Sequence, residues 1–350
     1  MTNQRRLIAA LFITVLISLT FLGCSNNMYK MNNEPLSKTE FLLGTVVTIK
    51  IYDNGSQEIL NRAFNKLKEI EGKMTINSEN SEVIEINSKA GKDFVKVSDD
   101  TFHVISRGKY FSELSRGRFD ISIGPLVKLW NIGGEDVKVP TVEEIEDRKK
   151  LVDFNNVILD EEEKSVMLKE EGMILDLGGI AKGYGADEVV SVLKDEEVGY
   201  AIINIGGNVF AYGNKPDGTP WKVGIQNPQL PGKGDYIGIV KLVNQSIVTS
   251  GIYERYIEEK GKRYHHILDP ESGYPVENNL VGVSVVADSS IDADSLSTSV
   301  FALGLNEGME LIEGLENVEG LFITMDSQVH VSSGLRERFK LTDSKFQLVP

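Results

Sequence analysis

Three stretches of the chain place reactive side chains where an ordinary core element would not carry them. The first, "LDLGGIAKGYGAD" (residues 175–187), begins as an apolar run that reads as a buried strand. It breaks at Asp176, passes two glycines and opens a helix with Lys182 near its start. Exposed amides at a helix N-terminus receive phosphate, and missing side chains let a ligand approach the backbone. The same turn serves equally well to pack helix on strand, and it matches neither G-x-G-x-x-G nor the P-loop pattern, so alone it specifies no nucleotide. In the second stretch, "DADSLSTSVFALG", Asp294 and Thr298 are four residues apart and share one helix face, while Leu296, Val300 and Leu303 form the inward stripe. A carboxylate and a hydroxyl side by side are hard oxygen donors suited to Mg2+, which keeps positions for water and phosphate. A solvated polar face with an acid near the helix N-terminus has the same pattern, and Asp292 lies off it.

The third stretch is "RYHHILDPESGYPV". Two of the four histidines, His265 and His266, point to opposite sides of a strand there, beside Asp269 and a tight turn. His266 is the candidate general base, because a group titrating near neutrality can take a proton from a hydroxyl; the bland alternative is a structural histidine. "FDISIGPLVKLW" (119–130) joins an acid to a Gly-Pro turn and Trp130, as a ligand shelf or simply as core. Arg255 in "YERY" is placed either to orient a phosphate or to pair with an acid.

These groups need a scaffold. "TEFLLGTVVTIKIYD" alternates Phe41, Leu43, Thr45, Val47, Ile49 and Ile51 on one face and predicts a single strand. Helical spacing follows at 56–72 and at about 99–115, and Thr141 with Glu144 forms a capping box for a short helix. "NNVILD" and "KSVMLK" read as a hairpin. After residue 199 short strands dominate, interrupted by two helices at about 290–304 and 306–314. Unequal blocks of strand and helix predict an α+β fold with mixed sheets and flanking helices. Residues 39–350 read as one catalytic unit of two lobes.

The chain has 350 residues, of which 41% are hydrophobic, enough to bury a substantial core. Arg5 and Arg6 precede an apolar stretch, Leu7 to Leu22, that is short for a bilayer span and ends at "FLGC". Residues 1–23 read as a signal peptide, and Cys24, the only cysteine, stands where a bacterial lipoprotein receives lipid. The alternative is an ordinary signal with a chance cysteine. Residues 24–38 are polar and without periodicity, like a tether. These features predict lipid attachment at the extracytoplasmic face of a bacterial membrane. The formal charge of −15 becomes about −17 once the signal's two arginines are removed, which disfavours nucleic acid as a partner. A phosphate ligand would need local cations or a metal.

In order and approximate spacing, "LLGTVV", "FDISIGPLVKLW", "LDLGGIAKGYGAD", "INIGGNVFAYG", "WKVGIQNP", "SIVTSGIYERY", "YHHILDPESGYPV" and "ADSLSTSVFALG" resemble the ApbE family, the FAD:protein FMN transferases. The resemblance implies a T-fold-like unit that takes FAD as substrate. It would use Mg2+ to split the pyrophosphate, moving FMN to a Ser or Thr hydroxyl of an acceptor protein and releasing AMP. It maps the metal ligands onto Gly179 (by its carbonyl), Asp294 and Thr298. Leu43, Ile76, Phe119, Asp120, Ile121, Asp176 and Ile267 fall at positions lining the flavin nucleotide, with Lys182 and Arg255 available to the pyrophosphate. Leu43 stands where the family often has Met, and Ile76 where it often has an aromatic ring. The implied acceptor is a flavin-bearing redox subunit or another extracytosolic flavoprotein. Two rivals share these residues: a pyrophosphatase giving FMN and AMP, and a non-catalytic FAD-binding lipoprotein.

Overall fold

The computed structural model describes residues 34–77, 80–135, 137–230 and 234–349; the signal segment and Cys24 lie outside them. The chain opens with strands β1 (Leu36–Leu42) and β2 (Thr45–Ile51), then helices α1 (Gln57–Met74) and α2 (Glu82–Ser88). Strand β3 (Val95–Lys96), α3 (Asp99–Leu114), α4 (Gly124–Trp130) and α5 (Val142–Lys149) follow. Next come β4 (Val157–Asp160), β5 (Ser165–Leu168) and α6 (Ala181–Asp195). The strand-rich part holds β6 (Ala201–Ile205), β7 (Asn208–Tyr212), β8 (Trp221–Gln226), β9 (Tyr236–Leu242), β10 (Gln245–Gly251), β11 (Tyr256–Glu259), β12 (Lys262–His265) and β13 (Leu280–Ala287). Helices α7 (Ser290–Leu303) and α8 (Leu305–Glu313) precede β14 (Val318–Thr324), β15 (Gln328–Val331), β16 (Phe339–Leu341) and β17 (Gln347–Leu348).

One nine-stranded sheet organises the rest, in the order β1-β2-β6-β7-β10-β13-β14-β15-β17. Its described pairings are antiparallel except β15 with β17, so the expected α+β class with mixed sheets is the one observed. One face buries Ile203, Ile205 and Phe210 against Phe64 and Leu67 of α1 and Val189 of α6, and Val283 and Val285 against α7. The other face packs Ile247, Val286 and Ile323 on Trp221, Ile237 and Val240 of a small β16-β9-β8 sheet. Helices thus cover one side of the large sheet and a second sheet covers the other.

Local signals explain most elements. Ser56 caps α1 through Ile59 N–H, and the predicted stripe of Ile59, Leu60, Ala63, Phe64, Leu67 and Ile70 is buried. The Thr141–Glu144 capping box is present, with both reciprocal bonds, and β4 and β5 form the expected hairpin.

Two expected strands differ. "TEFLLGTVVTIKIYD" is a hairpin, because Leu43 (φ 53°) and Gly44 (φ 67°) both adopt the left-handed conformation that a tight two-residue turn requires. Glu71 secures the turn by accepting Leu43 N–H at 2.8 Å, and Phe41, expected to face inward, is 72% exposed. The apolar run before Asp176 is buried but forms no ladder. Asn87 brackets Leu175 through both backbone groups, Asp176 N–H donates to the Ile121 carbonyl at 2.8 Å, and one bridge joins Ile174 to Ile123. A side chain and a crossing loop do there what a neighbouring strand would do in a sheet.

Candidate active site

The site is built around the crossing of α6 and α7. Gly183 lies against α7 so closely that a Cβ would stand 2.7 Å from Asp294 Cβ and 2.7 Å from Ile291 Cα. Its N–H, one of the first-turn donors that a helix leaves unpaired, donates to Asp294 Oδ2 at 2.8 Å. Lys182 Nζ donates to the Gly178 carbonyl at 3.1 Å and stands 3.5 Å from Asp294 Oδ1. Gly183→Ala is therefore expected to lower stability by about 1–3 kcal/mol, because overpacking outweighs alanine's helix preference of about 1 kcal/mol. Urea unfolding measures this, and an unchanged or raised midpoint would contradict the close crossing.

One turn after Asp294, Thr298 Oγ lies 3.4 Å from Ser250 Oγ on β10, which also bonds Ser297 at 2.8 Å. A Cβ placed on Gly179 would be 3.8 Å from Thr298 Oγ and 3.0 Å from the Phe119 ring. The structure thus gathers Gly179, Asp294, Thr298 and Lys182, the first three being the donors that the resemblance assigned to a metal. Asp292, off that face as expected, pairs with Arg107 at 2.6 Å.

The donor set fits a hard divalent cation. Asp294 is only 3% exposed, and among the described residues the cation within ion-pair reach of it is Lys182 at 3.5 Å. Among the described residues no group of three or more His, Cys, Asp or Glu is placed to hold a metal. One carboxylate with neutral oxygens suits Mg2+ carrying phosphate and water better than it suits zinc.

Asp176 sits in the adjoining loop, its Oδ1 accepting Gly178 N–H at 2.7 Å. Burial pushes its carboxyl up, against the pull of that N–H and of Arg255, Lys182 and Lys128. The 119–121 shelf lies alongside. Phe119 packs by Gly179; Ile121 is fully buried and its carbonyl holds Asp176. Asp120 spends its carboxylate inside the protein, on Ser122 N–H and Oγ at 2.7 Å each and on Phe154 N–H at 3.0 Å. Leu43 Cδ1 lies 3.3 Å from the Cβ that Gly185 lacks, and Ile76 is half-buried against the same core as Leu43.

Strand β12 ends at His265; His266, expected on the same strand, is the next residue and is tied by its N–H to the Arg255 carbonyl at 3.1 Å. His265 is buried, its Nε2–H donating to the Val276 carbonyl at 2.9 Å and its Nδ1 accepting from Ile267 N–H at 3.3 Å. Ile267 itself is 5% exposed. His266 is half-buried, with Nδ1 3.3 Å from the Arg255 carbonyl. A carbonyl only accepts, so the proton is on Nδ1 and Nε2 keeps a free lone pair. Burial first, then the Arg255 charge, hold His266 down to about 3, so the ring is neutral at physiological pH but a weaker base than the near-neutral titration expected of it. Arg255 acts electrostatically on both Asp176 and Glu254, whose carboxyl is pushed up to about 7 by desolvation. A cavity of about 350 Å³ lined by Tyr264, His265, Tyr274, Val276 and Met325 belongs to the His265 side of the strand, away from these groups.

The ApbE family's sequence profile matches residues 43–322. The chain belongs to the ApbE family. It is 39% identical over 318 residues to an FAD:protein FMN transferase of Klebsiella pneumoniae (strain 342), covering 91% of this chain and 98% of that one. It is 34% identical to an FAD:protein FMN transferase of Treponema pallidum (strain Nichols), over 89% and 91% of the two chains. The ApbE protein of Thermotoga maritima superposes with a TM-score of 0.79 at 31% identity, over 87% of this chain and 99% of that one. Flavin transferase ApbE from Vibrio cholerae gives 0.79 at 27% identity over the same shares. The membership implied by the motifs therefore holds. Sequence reasoning passed over three groups of this ApbE-family site: Gly183, Ser250 and Asp187. Gly183 and Asp187 stand inside the opening motif, but their partners on α7 are distant in sequence.

Proposed function

We propose that this chain transfers FMN from FAD to a Ser or Thr hydroxyl of an acceptor protein, with Mg2+ held by Asp294, Thr298 and the Gly179 carbonyl. The observation that carries the reading is the gathering of Gly179, Asp294, Thr298 and Lys182 at the α6–α7 crossing, with Lys182 Nζ 3.5 Å from Asp294 Oδ1; His266 is the candidate base for the acceptor hydroxyl. The acceptor oxygen bonds to the FMN phosphorus as its proton passes to His266 Nε2. The bond from that phosphorus to the bridging oxygen breaks, and the oxygen departs with AMP. When bound, Mg2+ supplies neutralisation of the pyrophosphate charge in a strongly acidic protein. Asp176 and Phe119 hold the flavin nucleotide, with Asp120 and Ile121 bracing that segment from within the protein, while Lys182 and Arg255 steady its phosphates.

Protein, FAD and Mg2+ incubated with an acceptor peptide, and separately without it, test the reading by in-gel flavin fluorescence and by AMP release. Transfer labels the acceptor. AMP formed equally fast without acceptor indicates a pyrophosphatase, and tight FAD binding without AMP indicates a carrier.

The reading includes an extracytoplasmic, lipid-anchored location, supported by the short apolar signal ending at Cys24 and the polar tether after it. Cys24→Ser is expected to leave the protein soluble or uncleaved. A processed Ser variant that still fractionates with membranes would refute the anchor.

A further inference from the structure

Asp187 lies one helical turn beyond Gly183 on α6 and reaches across to the start of α7. Its Oδ1 accepts Ser290 N–H at 2.7 Å, and its Oδ2 accepts Ile291 N–H at 2.9 Å and the Ser289 hydroxyl at 3.0 Å. Helix α7 has no side-chain cap of its own: Ser289, at the capping position, turns its hydroxyl to Asp187 instead. A neighbouring helix thus supplies the acceptor for α7's unpaired first-turn donors, with a negative charge at the positive end of its dipole.

The two helices are therefore joined at two points, one turn apart on each. Gly183 holds Asp294, and Asp187 holds Ser290 and Ile291. Sliding or rotating α7 against α6 would break both sets together. The loop entering α6 carries Gly179, and the next turn of α7 carries Thr298, whose Oγ is 3.8 Å from where a Gly179 Cβ would stand. The relative register of the two helices consequently fixes the spacing of the three oxygen donors.

Resting on the metal reading above, we infer that Asp187 is a positioning residue for the metal site: by capping α7 from α6 it sets the register that places Asp294 and Thr298 opposite Gly179. It touches neither metal nor substrate. Loss of such an outer support typically weakens metal binding about 10- to 100-fold.

Mn2+ titration followed by the free-ion EPR signal, without turnover, reads the affinity directly on the full folded chain. Asp187→Asn, which cannot offer two acceptor oxygens, is expected to raise the Mn2+ dissociation constant about tenfold or more. Its FAD affinity in the absence of metal is expected to stay within about twofold of wild type. A variant that is only less well folded would bind fewer ions per chain at unchanged affinity, so stoichiometry and affinity separate the two effects. Ser289→Ala, which removes one of the three donors, serves if Asp187→Asn does not fold, and a smaller rise of about two- to threefold is expected. Asp294→Asn is the control. If it loses Mn2+ while Asp187→Asn, or the folded Ser289→Ala in its place, binds as wild type does, the positioning role is overturned. If Asp294→Asn binds Mn2+ like wild type, the metal assignment fails and takes this inference with it.

Discussion

Asp294→Asn is expected to reduce transfer about 10²–10³-fold at limiting Mg2+, the scale on which loss of one fixed electrostatic contact to a developing charge is felt. The side chain keeps its shape, and the amide oxygen can still accept Gly183 N–H, now at 2.8 Å, so the α6–α7 crossing survives. The missing charge is the one that Lys182 faces at 3.5 Å. Removing it leaves that lysine without its carboxylate and the cation site with neutral donors only. Excess Mg2+ is expected to restore part of the rate, since the geometry is intact and affinity is what has been lost. Transfer assays across a Mg2+ series, with urea unfolding on the same samples, test both halves. Full activity at limiting metal would remove Asp294 from the site.

His266→Ala is expected to retain FAD affinity and lose transfer about 10²–10⁴-fold, the usual range for a general base. His265→Ala is expected to act on stability instead. It strands the buried Val276 carbonyl, whose partner at 2.9 Å is gone, at a cost of about 1–3 kcal/mol. Flavin fluorescence titration and acceptor labelling measure binding and transfer on the same preparations. If His265→Ala abolishes transfer while His266→Ala spares it, the roles are reversed; if both spare it, the base lies elsewhere. A pH signature accompanies the change. The folded protein holds His266 down to about 3 while the unfolded chain protonates near the ordinary 6.5, so the unfolded state takes up a proton first. Wild-type stability therefore declines as pH falls from 6.5 toward 3, and His266→Ala removes that part of the slope.

The parts of this protein that were legible in its sequence are those set by near neighbours. The α1 stripe follows a 3.6-residue period, the Thr141 box spans three residues, and Asp294 with Thr298 needs only the four-residue spacing of a helix. The hairpin at Leu43 escaped because its turn is Leu-Gly and lacks the Asn-Gly or Asp-Gly signature, so an unbroken alternation covered it. The run before Asp176 reads as a strand because burial and extension are visible in sequence, whereas the Asn87 and Ile121 groups that replace a ladder are not. The grip of Gly183 and Asp187 on α7 depends on how two helices cross, which local spacing does not encode. The same holds for the neutral state of His266, set by burial and by charges brought from Lys182 and Arg255.

The order of strands in the large sheet bears on how the chain reaches this state. Strand β2 finds its inner neighbour only when Ile51 meets Ala201, and everything between them, including the 119–121 segment and the Asp176 loop, is looped out meanwhile. Asp294 and Thr298 stand later still in the chain, after β13, which pairs with β10. Closing such long loops costs entropy before it brings contacts, and topologies dominated by distant pairings fold slowly. A nascent chain that has not yet presented α7 lacks Asp294 and Thr298, and its first hairpin waits with its β2 edge unpaired. Partly folded chains with that edge open are expected to be the aggregation-prone form, more than the finished surface.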